Sequence, residues 1–235
     1  MQVTYLLDGG SMAHEDFCGH VGRLNPGDLQ WMTAGWSILH AEMLCSEEPA
    51  HALQLWFNLR SSEKMVEPQY QELKNKDVPK PSKNGVTESV FSGEAVGVKS
   101  KVYTHTPTLY LDFRLDKGAK HIQPGPKGRK DFIDRFNKDI EATSPVMGSD
   151  DAQQKIEPHY TTVLDDGDCV QLENKGPEIS HFVLVAGELI KESMVQHGSF
   201  VMNTQEEIIQ AIDDYRNAKN GFERTATWKS KIGNQ

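Results

Sequence analysis

The sequence predicts an all-β fold with one α-helix near its C-terminus. Two observations indicate this: short apolar or alternating stretches recur between turns rich in Gly, Pro, Asn and Asp, and a single segment carries helix-capping signals. Many short strands at such spacing are typical of β-barrels and sandwiches. With 235 residues, the chain is long enough for two small domains, each with its own apolar core.

The predicted strands are bounded by turn residues and are apolar on at least one face. In chain order they are Val3–Leu7, Leu29–Thr33, Ala52–Leu59, Val86–Phe91, Val98–Thr104, Leu109–Leu115, Thr161–Leu164, Cys169–Glu173 and His181–Ala186. Ala52–Leu59 shows the clearest alternation, because Leu53, Leu55, Phe57 and Leu59 fall on every second position. This pattern predicts strands with one face on a core.

One helix follows the predicted strands. Thr204 is a suitable N-cap, and Glu207, three residues later, completes a capping box. An apolar stripe then recurs at helical spacing, and Asn220-Gly221 supplies a stop signal. The stripe consists of Ile208, Ile209, Ala211, Ile212 and Tyr215.

A lysine- and proline-rich stretch without apolar periodicity, residues 72–85, is the predicted linker. It divides the chain into an N-terminal domain, residues 1–71, and a C-terminal domain, residues 86–235, which includes the helix. The two halves are therefore expected to form separate β-barrels.

Composition limits the function classes. The net charge is -9 and the isoelectric point is near 5.5, which disfavours direct binding to nucleic acid. Mean hydropathy is -0.57 and no apolar run of membrane-spanning length occurs, so no membrane association is expected. The start of the chain lacks the features of a signal peptide. The three cysteines form no C-x-x-C motif, which favours the reducing cytoplasm or nucleus.

The strongest candidate for chemistry is the pair His40 and Glu42. Residues two apart on a strand face the same side, so imidazole and carboxylate project together and suit iron, manganese or a similar divalent ion. The alternative is a solvated strand face, since two ligands do not complete a site.

His14 and His20, six residues apart, are further candidate ligands; exposed loop histidines are the alternative. No nucleophile elbow, phosphate loop or dinucleotide fingerprint occurs.

Four stretches resemble the pirin family of the cupin superfamily: YLLDGGSMAHEDF (5–17), NPGDLQWMTAG (25–35), ILHAE (38–42) and RNAKNGFER (216–224). The resemblance implies a bicupin, two β-barrel domains with a C-terminal helix, and one iron site in the N-terminal barrel. By position, the metal pair of the family falls on His40 and Glu42.

Two activities are implied by the same resemblance. One is a quercetin 2,3-dioxygenase-like oxidation of flavonols such as quercetin. The other is co-regulation of transcription factors of the Rel/NF-kappa-B type, with localisation in the nucleus and cytoplasm.

Three departures from the family pattern qualify these expectations. The family carries an H-x-H pair just before Tyr5-Leu6-Leu7, and this sequence does not. Trp36-Ser37 replaces an Arg-Gly, and Arg129–Met147 is charged and partly helical in pattern where the family has a strand hairpin.

The missing pair and the shortened first barrel predict weak iron binding and reduced dioxygenase activity, with His14 or His20 available to compensate. Family-level function, a non-catalytic protein-binding module and a product without a stable fold remain as alternatives.

Overall fold

The computed structural model describes residues 1–125, 129–137, 140–143, 154–164 and 169–233. Strands make up most of its regular structure. The strands are β1 Gln2–Gly9, β2 Met12–Asp16, β3 Val21–Leu24, β4 Leu29–Thr33, β5 His40–Leu44, β6 Ala50–Trp56, β7 Gln69–Leu73, β8 Ser82–Lys83, β9 Val86–Ser92, β10 Glu94–Ala95, β11 Val98–Lys99, β12 Thr108–Leu115, β13 Lys120–Pro124, β14 Arg129–Asn137, β15 Ile140–Thr143, β16 Gln154–Ile156, β17 Thr161–Val163, β18 Cys169–Glu173, β19 Ser180–Glu188, β20 Val195–His197 and β21 Phe200–Met202. The helices are α1 Ser61–Lys64 and α2 Gln205–Arg216.

The chain divides into two compact units. The first comprises Met1–Asp77 together with Ile190–Gln235, and the second comprises Val78–Leu189. The division falls inside the segment predicted as a linker, whose residues also contribute the end of β7 and the short strand β8. The C-terminal helix belongs to the first unit, whereas the sequence division assigns it to the second.

The first unit contains the short antiparallel pair β20-β21 and two larger antiparallel sheets. One has the strand order β6-β1-β4-β7 and the other β3-β2-β5. In the four-stranded sheet both faces of β4 are buried, and Trp31 on this strand is fully enclosed and stacks on Phe57 at 5.6 Å between ring centroids. The central strands β1 and β4 of this sheet are therefore buried over most of their length, whereas the edge strands β6 and β7 are partly exposed.

The helix α2 begins where the sequence predicts. The Thr204 side chain accepts a hydrogen bond from the backbone N–H of Glu207 at 3.2 Å, and the Glu207 carboxylate accepts one from the backbone N–H of Thr204 at 2.9 Å. The predicted capping box is thus confirmed. Ile208 is buried on the inner side of this helix.

The second unit contains two larger antiparallel sheets. Their strand orders are β17-β14-β19-β12-β9-β8 and β13-β18-β15-β16. Alternate residues of β9, β12 and β19 point into a shared apolar core. Among its members are Val90, Leu111, Phe113, Phe182 and Leu184.

Two sequence predictions about local structure are wrong. The charged segment Arg129–Met147 is extended where it is described, as β14 and β15; its residues 138–139 and 144–147 lie outside the described residues. Ladder pairing with β17 and β19 overrides the weak helical pattern. The predicted strand Val98–Thr104 ends at Lys99, because the Ser100 hydroxyl donates to the Phe91 carbonyl and accepts from the Val102 N–H.

In the part of the chain that the structure describes, no helix is both long and apolar enough to span a membrane.

Candidate metal centre

One face of the three-stranded sheet carries the predicted ligands His40 and Glu42 together with two further ligand-type residues. Glu42 on β5 lies opposite His14 on β2, and His40 lies opposite Asp16 in the same pairing. Directly paired residues of antiparallel strands share a face, and residues two apart on one strand do so as well. His14, Asp16, His40 and Glu42 therefore share one face.

The facing sheet contributes donors that hold Glu42. Its carboxylate accepts hydrogen bonds from Gln54 Nε2 at 2.8 Å, Gln2 Nε2 at 3.2 Å and Thr4 Oγ1 at 3.2 Å. Gln2 and Thr4 are buried residues of β1, and Gln54 pairs with Thr4 from β6. The space between the two sheets is consequently polar, and the orientation of Glu42 is fixed by three donors.

A compact cluster of three ligand atoms lies on the same inner face. His14 Nε2 is 3.1 Å from His20 Nε2, and each of these nitrogens is 3.1 Å from Glu72 Oε1. Glu72 comes from β7 of the facing sheet, in the same row as Gln30 and Thr4. Two imidazoles and one carboxylate thus meet at a single point, a donor set that divalent transition metals favour.

The surroundings of the cluster orient its two histidines. The Asp16 carboxylate accepts hydrogen bonds from the backbone N–H groups of Cys18 at 2.8 Å and His20 at 2.9 Å, which fixes the β2–β3 turn. The Tyr70 ring stacks on His20 with 3.8 Å between centroids and an interplanar angle of 11°. His20 is therefore preorganised although 30% of its side chain remains exposed.

Burial shifts the pKa values of titratable side chains in this region. It lowers the pKa of His14, a shift that the negative charge of Glu72 partly opposes. The His14 imidazole is therefore neutral near pH 7, the form that can offer a lone pair to a metal. Burial, together with the charge of Asp16 and a hydrogen bond to it, raises the pKa of Tyr70, so the phenol next to the cluster stays protonated.

The structure unites only some of the predicted site residues. Within the described ranges, the group of three or more ligand-type residues whose donor atoms converge within 4.8 Å is His14, His20 and Glu72. His40 and Glu42 share their face but are not members of this group. Sequence reasoning misses Glu72 because it stands at the start of the predicted linker. The alternation of QYQEL, residues 69–73, is the signal that indicates a strand there.

The second unit buries an acid and an imidazole of its own. Glu88 on β9 is completely buried beside Phe113 of the apolar core, and its Oε1 lies 3.2 Å from His121 Nε2. Neither carboxylate oxygen has a hydrogen bond with good geometry among the described residues. Burial raises the pKa of Glu88 to about 7 and lowers the pKa of His121.

Comparison with known proteins agrees with this architecture. The family model described as Pirin matches residues 1–57, and the model described as Pirin C-terminal cupin domain matches residues 110–221. Human Pirin is 72% identical over 232 residues, which cover 99% of this chain and 78% of that protein. The chain belongs to the pirin family. A more distant member, the Pirin-like protein of Solanum lycopersicum, is 45% identical over 97% of this chain and 76% of its own length.

Solved structures place this pirin-family chain in the bicupin fold. A crystal structure of quercetin 2,3-dioxygenase from Acinetobacter baumannii superposes with a TM-score of 0.83 at 30% identity, over 94% of this chain and 76% of that one. A bacterial pirin, YhhW from Escherichia coli in complex with nickel(II), gives a TM-score of 0.62 at 19% identity, over 80% and 72%, and shows the shared fold. The predicted all-β bicupin is confirmed.

The inner face of the first unit fits the divalent metal that pirin-family membership implies. The anchored carboxylate of Glu42 and the imidazole of His40 on the same sheet face are donors of the type that such ions take in proteins. Histidine and carboxylate ligands also need partners that hold their orientation, and Gln2, Thr4 and Gln54 do this for Glu42.

Proposed function

We propose that this pirin-family chain is a metal-dependent oxidoreductase of the quercetin 2,3-dioxygenase type, with flavonols as substrates and iron as the metal. The observation that carries the proposal is the inward-facing pair His40 and Glu42, which the resemblance matches to the family's metal ligands. The 30% identity and TM-score of 0.83 to a quercetin 2,3-dioxygenase of Acinetobacter baumannii support the substrate class.

In this proposal, two residues would hold the metal and three others orient one of these ligands. When bound, iron supplies a redox centre and a template on which flavonol and dioxygen meet. His40 and Glu42 would hold the ion, and the three donors to Glu42 keep its carboxylate turned into the space between the sheets.

Turnover of quercetin by the iron-loaded chain tests this proposal. His40→Ala and Glu42→Gln should each lower turnover at least about tenfold, because each removes a ligand. His197→Ala is the matched control, since His197 is exposed on β20 of the same unit. Equal turnover by wild type and both ligand variants would contradict the assignment. Absence of turnover in iron-loaded wild type would instead favour the non-catalytic binding module.

We further propose a role in the nucleus and cytoplasm as a co-regulator of Rel/NF-kappa-B type transcription factors. Pirin-family membership supports this role, and the net charge of -9 favours action through proteins over direct contact with nucleic acid. Titration of the purified chain against a purified Rel-family factor, with and without iron, tests it. Saturable binding that changes with iron is expected, and no binding in either state would contradict it.

A further inference from the structure

We propose that His14, His20 and Glu72 form a second binding site for a divalent first-row transition metal, separate from the His40 and Glu42 pair. The three donor atoms lie at the corners of a triangle whose edges are all 3.1 Å. This site does not depend on flavonol oxidation, and its ligands come from three places in the sequence: β2, the β2–β3 turn and β7.

Protons alone satisfy this triangle poorly. An imidazole Nε2 carries at most one proton, so two nitrogens and one oxygen in mutual contact cannot all be joined by good hydrogen bonds. His14 Nδ1 has no hydrogen-bond partner among the described residues, and only 3% of the His14 side chain is exposed. The polar contacts of this buried ring therefore converge on Nε2. One cation would accept the lone pairs of all three atoms at once.

The dimensions suit a cation that caps one face of the triangle. Bonds from such ions to imidazole nitrogen and carboxylate oxygen are about 2.0–2.2 Å long, so edges of 3.1 Å correspond to ligand–metal–ligand angles of about 95°. That value is close to the right angle of a facial two-histidine, one-carboxylate site, which leaves further positions for water. The partial exposure of His20 provides a route for entry.

Gly22 keeps one side of the triangle open. It pairs with His14 in the β2–β3 ladder, and a Cβ added to it would lie 2.4 Å from His14 Nε2 and 2.7 Å from Glu72 Oε1. Any other residue would place its side chain against two of the three donor atoms. A glycine here leaves space next to the ligands, on the side where a side chain would otherwise stand.

The local charge also favours a cation. The negative charges of Glu72 and Glu42 both act on His14, and Asp16 lies on the same face. Lys74 supplies a positive charge beside the cluster: its Nζ is 3.6 Å from Glu72 Oε2 and 3.4 Å from Asp28 Oδ2. Lys74 thus engages the oxygen of Glu72 that is not part of the triangle and leaves Oε1 to the histidines.

Nickel(II) is a suitable probe because it accepts imidazole and carboxylate ligands and does not change oxidation state under ordinary conditions. The chain is stripped with a chelator and titrated calorimetrically in a His40→Ala background, which disables the other candidate site. One ion per chain is expected to remain. Further substitution of His20→Ala or Glu72→Gln should lower the affinity at least about tenfold, whereas the control His197→Ala should leave it unchanged.

A second readout needs no substitution. Diethyl pyrocarbonate acylates accessible imidazoles, and peptide mass spectrometry reports each histidine separately. Nickel(II) should slow acylation of His20 at least tenfold while the exposed His197 reacts as before. Loss of all binding in His40→Ala, retention of full affinity in both His20→Ala and Glu72→Gln, or unchanged acylation of His20 would each overturn the proposal.

Discussion

Glu42 and His14 lie directly opposite each other in the pairing of β5 with β2. The two candidate sites of the first unit are therefore neighbours on one sheet face, and the charge of Glu42 acts on the His14 imidazole. Glu42 is held from the facing sheet by side-chain amides and a hydroxyl, whereas His14 is held through Glu72. The contacts of each site connect the same two sheets. A substitution at either site should therefore change the stability of the barrel as well as metal binding.

The first prediction follows from the three donors that converge on Glu42. Glu42→Ala leaves the amide of Gln2 and the hydroxyl of Thr4 without their acceptor in a buried position. We expect the free energy of unfolding to fall by roughly 2–3 kcal/mol, since unsatisfied buried donors cost more than an exposed hydrogen bond. Urea unfolding followed by tryptophan fluorescence measures this effect.

Tryptophan is a selective probe because all four tryptophans, Trp31, Trp36, Trp56 and Trp228, belong to the first unit. Glu47→Ala, an exposed site in the loop after β5, is the control for removal of one carboxylate and should change little. Glu42→Gln keeps an acceptor oxygen and should lose less than the alanine variant. A Glu42→Ala chain as stable as the Glu47→Ala chain would contradict the prediction.

The second prediction concerns the pH dependence of the second unit. The native pKa of Glu88 is about 7, above its ordinary value of 4.5. Between these values the unfolded chain releases the proton that the native chain retains, so the contribution of Glu88 to stability is present at low pH and is lost as pH rises. Replacing this carboxylate by Glu88→Gln should therefore stabilise the protein progressively as pH rises towards 8.

The expected gain relative to wild type from pH 5 to pH 8 is roughly 2–3 kcal/mol, most of it below pH 7, because a pKa shift of one unit corresponds to about 1.4 kcal/mol. His121, whose pKa is lowered, contributes the opposite slope, so the two chains are compared at each pH and not against a single reference. Unfolding is followed by circular dichroism, with the exposed Glu94→Gln as control. A difference that does not vary with pH would show that Glu88 is not the buried acid described here.

Sequence reasoning predicts the parts of the first unit that depend on local chemistry. Thr204 and Glu207 lie three residues apart, and a capping box needs nothing beyond that spacing. His14 and His20 are also identified as candidate ligands from the sequence. Glu72 is not, because its role depends on β7 pairing with β4, in which Glu72 lies opposite Gln30, 42 positions earlier in the chain. Spacing along the chain cannot report which strands become neighbours.

The errors of local prediction have the same origin. The pattern of Arg129–Met147 is partly helical, but ladder partners on β17 and β19 fix β14 as a strand. In the opposite direction, the stretch after Val98 indicates a longer strand, and one serine hydroxyl redirects the backbone after Lys99. Propensity is weak wherever a long-range ladder or a side chain competes for the backbone groups.

The third prediction tests the space beside the His14, His20 and Glu72 cluster without removing a ligand. In Gly22→Ala, the new Cβ would lie 2.3 Å from His14 Cε1 and 2.4 Å from its Nε2, so the ring must shift. The ring is buried and tightly packed, and such overpacking costs about 1–3 kcal/mol. We expect a lower free energy of unfolding and at least about a tenfold loss of nickel(II) affinity, although all three ligands remain.

Gly187→Ala provides the matched control, since this strand glycine on β19 meets no described atom within 4 Å of an added Cβ. It should keep wild-type nickel(II) affinity, and its stability should stay equal or rise slightly, because alanine has less backbone freedom to lose on folding. Both variants are measured by urea unfolding and by calorimetric titration. If Gly22→Ala binds nickel(II) as tightly as Gly187→Ala does, then the ion does not sit against His14 and Glu72 on the Gly22 side. If it is also equally stable, then the close approach of Gly22 to the His14 ring does not constrain the barrel.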